Sequence, residues 1–170
     1  HKVGAEHNIP FSVFDPEFRR LMAAVDEGKV VAVFHNAKFD QEFLEFNGRE
    51  PYGNWDIPKH WEDTLILAYL RNSRARQKSL KVLSAAPAGD NPPPEQVHQV
   101  GGRGLGMQMF ELSDLFPTPK KGEPKPKYDF SLLNPSDPKP LIYGCSDGIC
   151  TWLLADLLIP EVLQPKHGFN

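Results

Sequence analysis

Apolar positions along the chain change period several times, and each change predicts an element. Phe18, Leu21, Met22 and Val25 recur three and four residues apart, the spacing of one helix face, and Gly28 ends the run. Ahead of them Asp15 suits an N-cap, Pro16 the first helical position and Glu17 the positive end of the helix dipole. "FDPEF" therefore predicts a helix start. "KVVAVF" (29–34) abandons the helical period for a continuous valine-rich run and predicts a buried strand. "NAKFDQEFLEFNG" returns to helical spacing through Phe39, Phe43, Leu44 and Phe46, with Gly48 as its stop. Asp63 is placed to cap a helix in "EDTLILAYLRN"; "SLKVLSAA" predicts another. "KPLIYGCSDGICTWLLADLLIP" predicts a long apolar helix ended by Pro160. A strand beside a helix, followed by more helices, predicts an α/β domain with a small mixed sheet covered by helices.

Composition alters this picture mainly in the middle of the chain. Eleven of the 17 prolines lie between Pro87 and Pro140, together with "GGRGLG", so 87–140 is predicted as long loops around a short helical piece in "MQMFELSDLF". The 170 residues suit a single domain spanning 1–170. A net charge of -3 offers nucleic acid no global attraction, so any such contact must be local. "RNSRARQKSLK", with Arg71, Arg74, Arg76, Lys78 and Lys81, is a local basic run; "PKKGEPKPK" adds Lys120, Lys121, Lys125 and Lys127. These runs are either solvated surface or contacts to the phosphates of a DNA strand. No apolar run approaches the ~18 residues of a membrane span, and "HKVGAEHNIPFS" has no signal-peptide core, which predicts no membrane partner. Cys145 and Cys150, five apart, match neither a zinc knuckle nor a redox pair. They are expected to be buried apolar residues of an intracellular, cytoplasmic protein. Trp55, Trp61 and Trp152 are expected in the core.

Two carboxylates stand where packing alone would not put them. Asp40 shares a helix face with Asn36, Ala37, Phe43 and Leu44; Asp147 shares one with Tyr143, Gly144, Cys150 and Thr151. An ionised carboxylate among small and apolar neighbours is costly unless a cation or hydrogen bonds compensate it. Each Asp alone could be a satisfied structural residue. Each also follows a polar partner by four residues, Asn36 before Asp40 and Tyr143 before Asp147. Carboxylates from separate helices make half of a site for two Mg²⁺ or Mn²⁺ ions roughly 3.5–4 Å apart, which clamps a phosphodiester.

"VFHNAKFD" and "YGCSDGICTWLL" resemble the second and third exonuclease motifs of the DEDDy 3′→5′ exonucleases, most closely the proofreading domain of family A (Pol I-like) DNA polymerases of bacteriophages. "WEDTLILAYLRN", "KSLKVLSA" and "MQMFELSDLFP" follow that domain's order, and the resemblance covers about residues 8–160. It implies an RNase H-like (DnaQ-like) fold, with a mixed central sheet flanked by helices. It also implies two divalent ions, Mg²⁺ or Mn²⁺, with Asp40 and Asp147 as their ligands. Tyr143 would orient the attacking water, and Asn36 would support the site and the terminal nucleotide. His35, by its place at the strand end, is expected to be structural or substrate-lining rather than a metal ligand. Of the basic run, Arg74, Arg76 and Lys78 are the candidates to meet the substrate backbone if the run is more than solvated surface. The implied reaction is hydrolysis of the last phosphodiester at a 3′ end, releasing nucleoside 5′-monophosphates. The implied partners are single-stranded or primer–template DNA and a polymerase domain following in the natural chain, in a bacterial host cytoplasm.

The family's site has a further Asp-x-Glu on the first strand of its sheet. Asp15-Pro16-Glu17 reads as a helix start instead, so the chain is expected to begin after its first motif, with the first strand absent and little hydrolysis from two carboxylates. A DEDDy RNase of the RNase D kind shares these motifs. A nuclease-inactive module that holds DNA beside a polymerase is the other alternative.

Overall fold

A computed structural model describes residues 10–47, 55, 58–116, 128, 133–134 and 137–164. Its elements, in chain order, are α1 (Phe11–Asp26), β1 (Ala32–Phe34), α2 (Ala37–Asn47), β2 (Trp61–Asp63), α3 (Thr64–Arg71), α4 (Leu80–Ala85), α5 (Pro94–Val100), α6 (Leu112–Leu115) and α7 (Pro138–Leu163). β1 and β2 pair in parallel, Ala32 opposite Trp61 and Phe34 opposite Asp63. A parallel pair needs a crossover, and the segment carrying α2 provides it.

The core lies where α7 packs on α3 and α4. Leu67 and Ala68 of α3, Leu83 of α4, Val100 of α5 and Leu154 and Leu158 of α7 form one buried cluster, with Ala86 beside them. On α7 the buried residues are Cys150, Thr151, Leu154, Ala155 and Leu158, a single stripe at helical spacing. Trp152 and Cys145 fall off that stripe. Contrary to the expectation for a tryptophan and a cysteine, both are exposed, whereas Cys150 is buried. Trp55 packs on Phe18 with ring centroids 4.9 Å apart, and Trp61 stands edge-on to Phe34.

Several expectations are corrected. The first helix does not start at Asp15: Val13 and Phe14 already donate to the Pro10 carbonyl, so Pro16 sits inside α1. Asp15 is therefore not an N-cap. It accepts from Trp55 Nε1 at 2.7 Å and pairs with Arg19 one turn on at 3.0 Å, while Glu17 pairs with Arg20. These bonds, with the positive charge of Arg19, hold the Asp15 carboxyl below its ordinary range. The strand is shorter than "KVVAVF", and Val31 is 67% exposed. Gly28, at φ 72°, turns the chain so that the amides of Lys29 and Val30 return to the Ala24 carbonyl at the end of α1, which leaves them no sheet partner. Phe39 is exposed rather than packed; the side chains of Phe43 and Phe46, and Gly48, lie outside the described residues. Pro160 does not end α7, which continues to Leu163. α7 is also long and apolar enough, by length and composition, to cross a membrane, because its polar residues are too few to lower the average.

The proline-rich middle contains a helix that the composition concealed. Pro94 occupies the first turn of α5, and Gly101, at φ 86°, caps its end by donating to the Val97 carbonyl. After it the chain runs back along α4: Gly104, Gly106 and Met107 donate to the carbonyls of Pro87, Ala86 and Ser84. Any side chain at 104 would overlap the Leu83 and Ala86 carbonyl oxygens, so Gly104 is there for close approach. Lys120, Lys121, Lys125 and Lys127 lie outside the described residues.

Candidate functional site

The end of β1 is built around Asp63, which sequence reasoning assigned only as a cap. It is that cap: its carboxylate accepts from Leu65 N at 2.8 Å at the head of α3. The same carboxylate reaches across the parallel pair to accept from Asn36 N at 3.0 Å and Ala37 N at 2.8 Å, at the head of α2. One buried side chain thus satisfies orphan amides of two helices. Asn36 sits at φ 70°, a left-handed conformation that Asn tolerates better than other side chains. Next to it, His35 Nδ1 lies 2.8 Å from Thr64 Oγ1, which donates to the Phe34 carbonyl. The His35 ring also meets the Lys78 backbone, and burial lowers its pKa despite the nearby Asp63 charge.

Asp40 follows in the first turn of α2. Burial raises its carboxyl above the ordinary range, and the negative charge of Asp63 raises it further.

On α7 the buried stripe continues toward the helix start through Asp147 and Tyr143, four and eight residues before Thr151. The face that carries leucines in one half of the helix carries a phenol and a carboxylate in the other. Asp147 is half-buried as a residue, but its Oδ1 is shut off from solvent and has no hydrogen-bond partner among the described residues. Burial raises its pKa, opposed by the Lys81 ammonium and assisted by Glu111. Burial also raises the Tyr143 hydroxyl, again against Lys81 and with Asp147 and Glu111. Lys81, from α4, ion-pairs with Glu111 at 2.9 Å and stands 5.1 Å from the centre of the Tyr143 ring.

Lys81 and Glu111 are the residues the motif reading left out. Lys81 appeared there only as one of a basic run and as part of the quoted "KSLKVLSA", with no role of its own. What could have singled it out is its place in "SLKVL", where Leu80, Leu83 and Ser84 turn one face to the core and leave Lys81 at its margin. Beside this pair a cleft of about 470 Å³, lined also by Gln96, Gln99 and Gln108, opens between α4, α5 and the chain before α6.

The other basic residues separate. Lys78 is buried, its ammonium directed at the Ala75 and Ser73 carbonyls and lying 4.2 Å from the centre of the Tyr69 ring. The Arg71 side chain is buried against Glu161 and the Val100 and Arg103 carbonyls. Arg74 and Arg76 are exposed.

Asp147 Oδ1 is a hard carboxylate oxygen without a hydrogen bond among the described residues, a donor type that divalent cations take. α7 packs on β1, the strand that leads to Asp40, yet the charges acting on the two carboxylates come from different neighbours. Among the described residues no three His, Cys, Asp or Glu side chains converge as a metal-ligand set. The chain matches no protein-family model, no curated protein and no solved structure.

Proposed function

We propose that this chain is a 3′→5′ exonuclease domain of the DEDDy kind, acting on a DNA 3′ end beside a DNA polymerase and built on an RNase H-like sheet. The observation that carries the reading is the buried, unpartnered Oδ1 of Asp147 one turn from Tyr143, within the motif that resembles the family's third. A carboxylate oxygen shut off from solvent without a hydrogen bond is costly in a structural role and useful in a metal-binding one.

In this reading Asp40 and Asp147 hold divalent ions, which supply activation of water and stabilisation of charge on the phosphate when bound. Tyr143 orients the attacking water through its hydroxyl. With its pKa raised by burial it stays protonated at neutral pH, and its part is positioning. Asn36, held by Asp63, supports the terminal nucleotide, and the exposed Arg74 and Arg76 meet the phosphates of the strand.

The test is incubation of the folded chain with 5′-labelled single-stranded DNA and Mn²⁺, beside Asp147→Ala, with thermal unfolding followed against Mn²⁺. The expected result is slow, ladder-like shortening and an Mn²⁺-dependent rise in Tm, both absent in the variant. A folded chain with neither response would refute the reading. That outcome favours a nuclease-inactive module beside a polymerase, for which the absence of three converging acidic groups among the described residues speaks.

A further inference from the structure

We propose that Lys81 is a positioning residue: its ammonium, anchored by Glu111, holds the face of the Tyr143 ring and so sets where the phenol hydroxyl stands beside Asp147. The inference rests on the exonuclease reading for its consequence, but its geometry stands apart from it.

Tyr143 lies in the second turn of α7, before the stripe becomes buried, and is half-buried there. Lys81 comes from α4, which packs on α7, and its side chain is only 28% exposed. A long, flexible lysine in that position needs an anchor. Glu111 provides one at 2.9 Å, and its own backbone is fixed at the start of α6 by donation to Asp114 Oδ2 at 2.6 Å. The anchored ammonium then lies 5.1 Å from the Tyr143 ring centre, within cation–π reach, and its charge bears on Asp147 as well. The three helices α4, α6 and α7 are thereby joined through one charged group at the only polar stretch of the α7 stripe. A lysine serving as a DNA phosphate contact would instead be expected to be exposed and, like Arg74 among the described residues, without an acidic partner.

The experiment uses 3-fluorotyrosine-labelled chain and ¹⁹F NMR without metal, with the Tyr143 line assigned by Tyr143→Phe. Lys81→Met and Lys81→Arg are compared with Glu111→Gln, each checked for fold by circular dichroism. Lys81→Met should shift the Tyr143 resonance, Glu111→Gln should move it the same way by less, and Lys81→Arg, which keeps a cation able to lie on the ring, should restore it. On labelled DNA with Mn²⁺, Lys81→Met should lower kcat on the order of 10- to 100-fold at unchanged KM, with rescue by arginine. An unmoved Tyr143 line in folded Lys81→Met and Glu111→Gln overturns the proposal. So does a raised KM at unchanged kcat, which would make Lys81 a phosphate contact. A moved line in a chain that hydrolyses nothing, wild type included, upholds the positioning and sinks the exonuclease reading alone.

Discussion

Replacing Asp63 should unfold the junction between the sheet and its two following helices in graded steps. Three backbone amides, those of Asn36, Ala37 and Leu65, donate to its carboxylate, two to Oδ1 and one to Oδ2. Ala37 is wholly buried, so in Asp63→Ala its amide can recruit no water, a loss of about 1–3 kcal/mol. The other two amides are at the heads of α2 and α3, where a missing cap costs about 0.5–2 kcal/mol each. Asp63→Ala should therefore lose about 2–7 kcal/mol, a large share of the ~5–15 kcal/mol that a domain has. Asp63→Asn is the sharper probe. Its amide oxygen can keep the two bonds to Oδ1, but its NH₂ then faces the Ala37 N–H, donor to donor. That variant should lose about 1–3 kcal/mol, the single-bond cost. Urea unfolding at neutral pH reads both as shifts of the midpoint at constant m. The reasoning fails if Asp63→Asn is as unstable as Asp63→Ala, or if neither departs from the wild type by more than about 0.5 kcal/mol.

Three further outcomes are expected. Gly104→Ala should destabilise by about 1–3 kcal/mol or more, because its methyl meets carbonyl oxygens of the α4 terminus rather than side chains that can move; an unchanged urea midpoint would contradict the close approach. His35 has a pKa below its unfolded value, so burial of the neutral ring adds stability above about pH 6.5 that is lost as pH falls through the lower folded value. His35→Gln should thus show a smaller drop in Tm between about pH 7.5 and pH 5.5 than the wild type, whatever its absolute Tm; equal drops would count against it. Asp147 is the opposite case, an acid raised by burial, whose ionisation costs the native state above its folded pKa and costs nothing below about pH 3.9. Metal-free Asp147→Asn should therefore melt higher than the wild type at neutral pH, with the gain disappearing in acid; a lower Tm at neutral pH would show that the carboxylate is satisfied.

Much of the local structure was legible in the residues themselves. The heads of α3 and α4, the Asp63 cap, the Gly28 stop and the long apolar α7 follow from spacing and turn chemistry, which act over a few residues. The same local rules singled out Asp147, since a carboxylate on an apolar stripe is visible without coordinates, and its orphaned Oδ1 is the structural counterpart. Local rules failed where the competing partner was distant or the punctuation ambiguous. "KVVAVF" reads as a strand throughout, but the end of α1 claims the amides of Lys29 and Val30. The prolines at 92–94 read as a loop, yet proline is as much at home in a helix's first turn as between elements. Asp15 looked like a cap because Pro16 follows it, yet Pro10, five residues earlier, already accepts the first helical bonds. Tertiary structure alone decided that Asp63 holds two helices, that Lys78 is buried while Arg74 and Arg76 are not, and that Lys81 lies on Tyr143 between Glu111 and Asp147. A side chain's charge and reach are written in the chain. Which oppositely charged or aromatic group lies within that reach depends on how helices far apart in sequence pack, and burial of their leucines sets that packing.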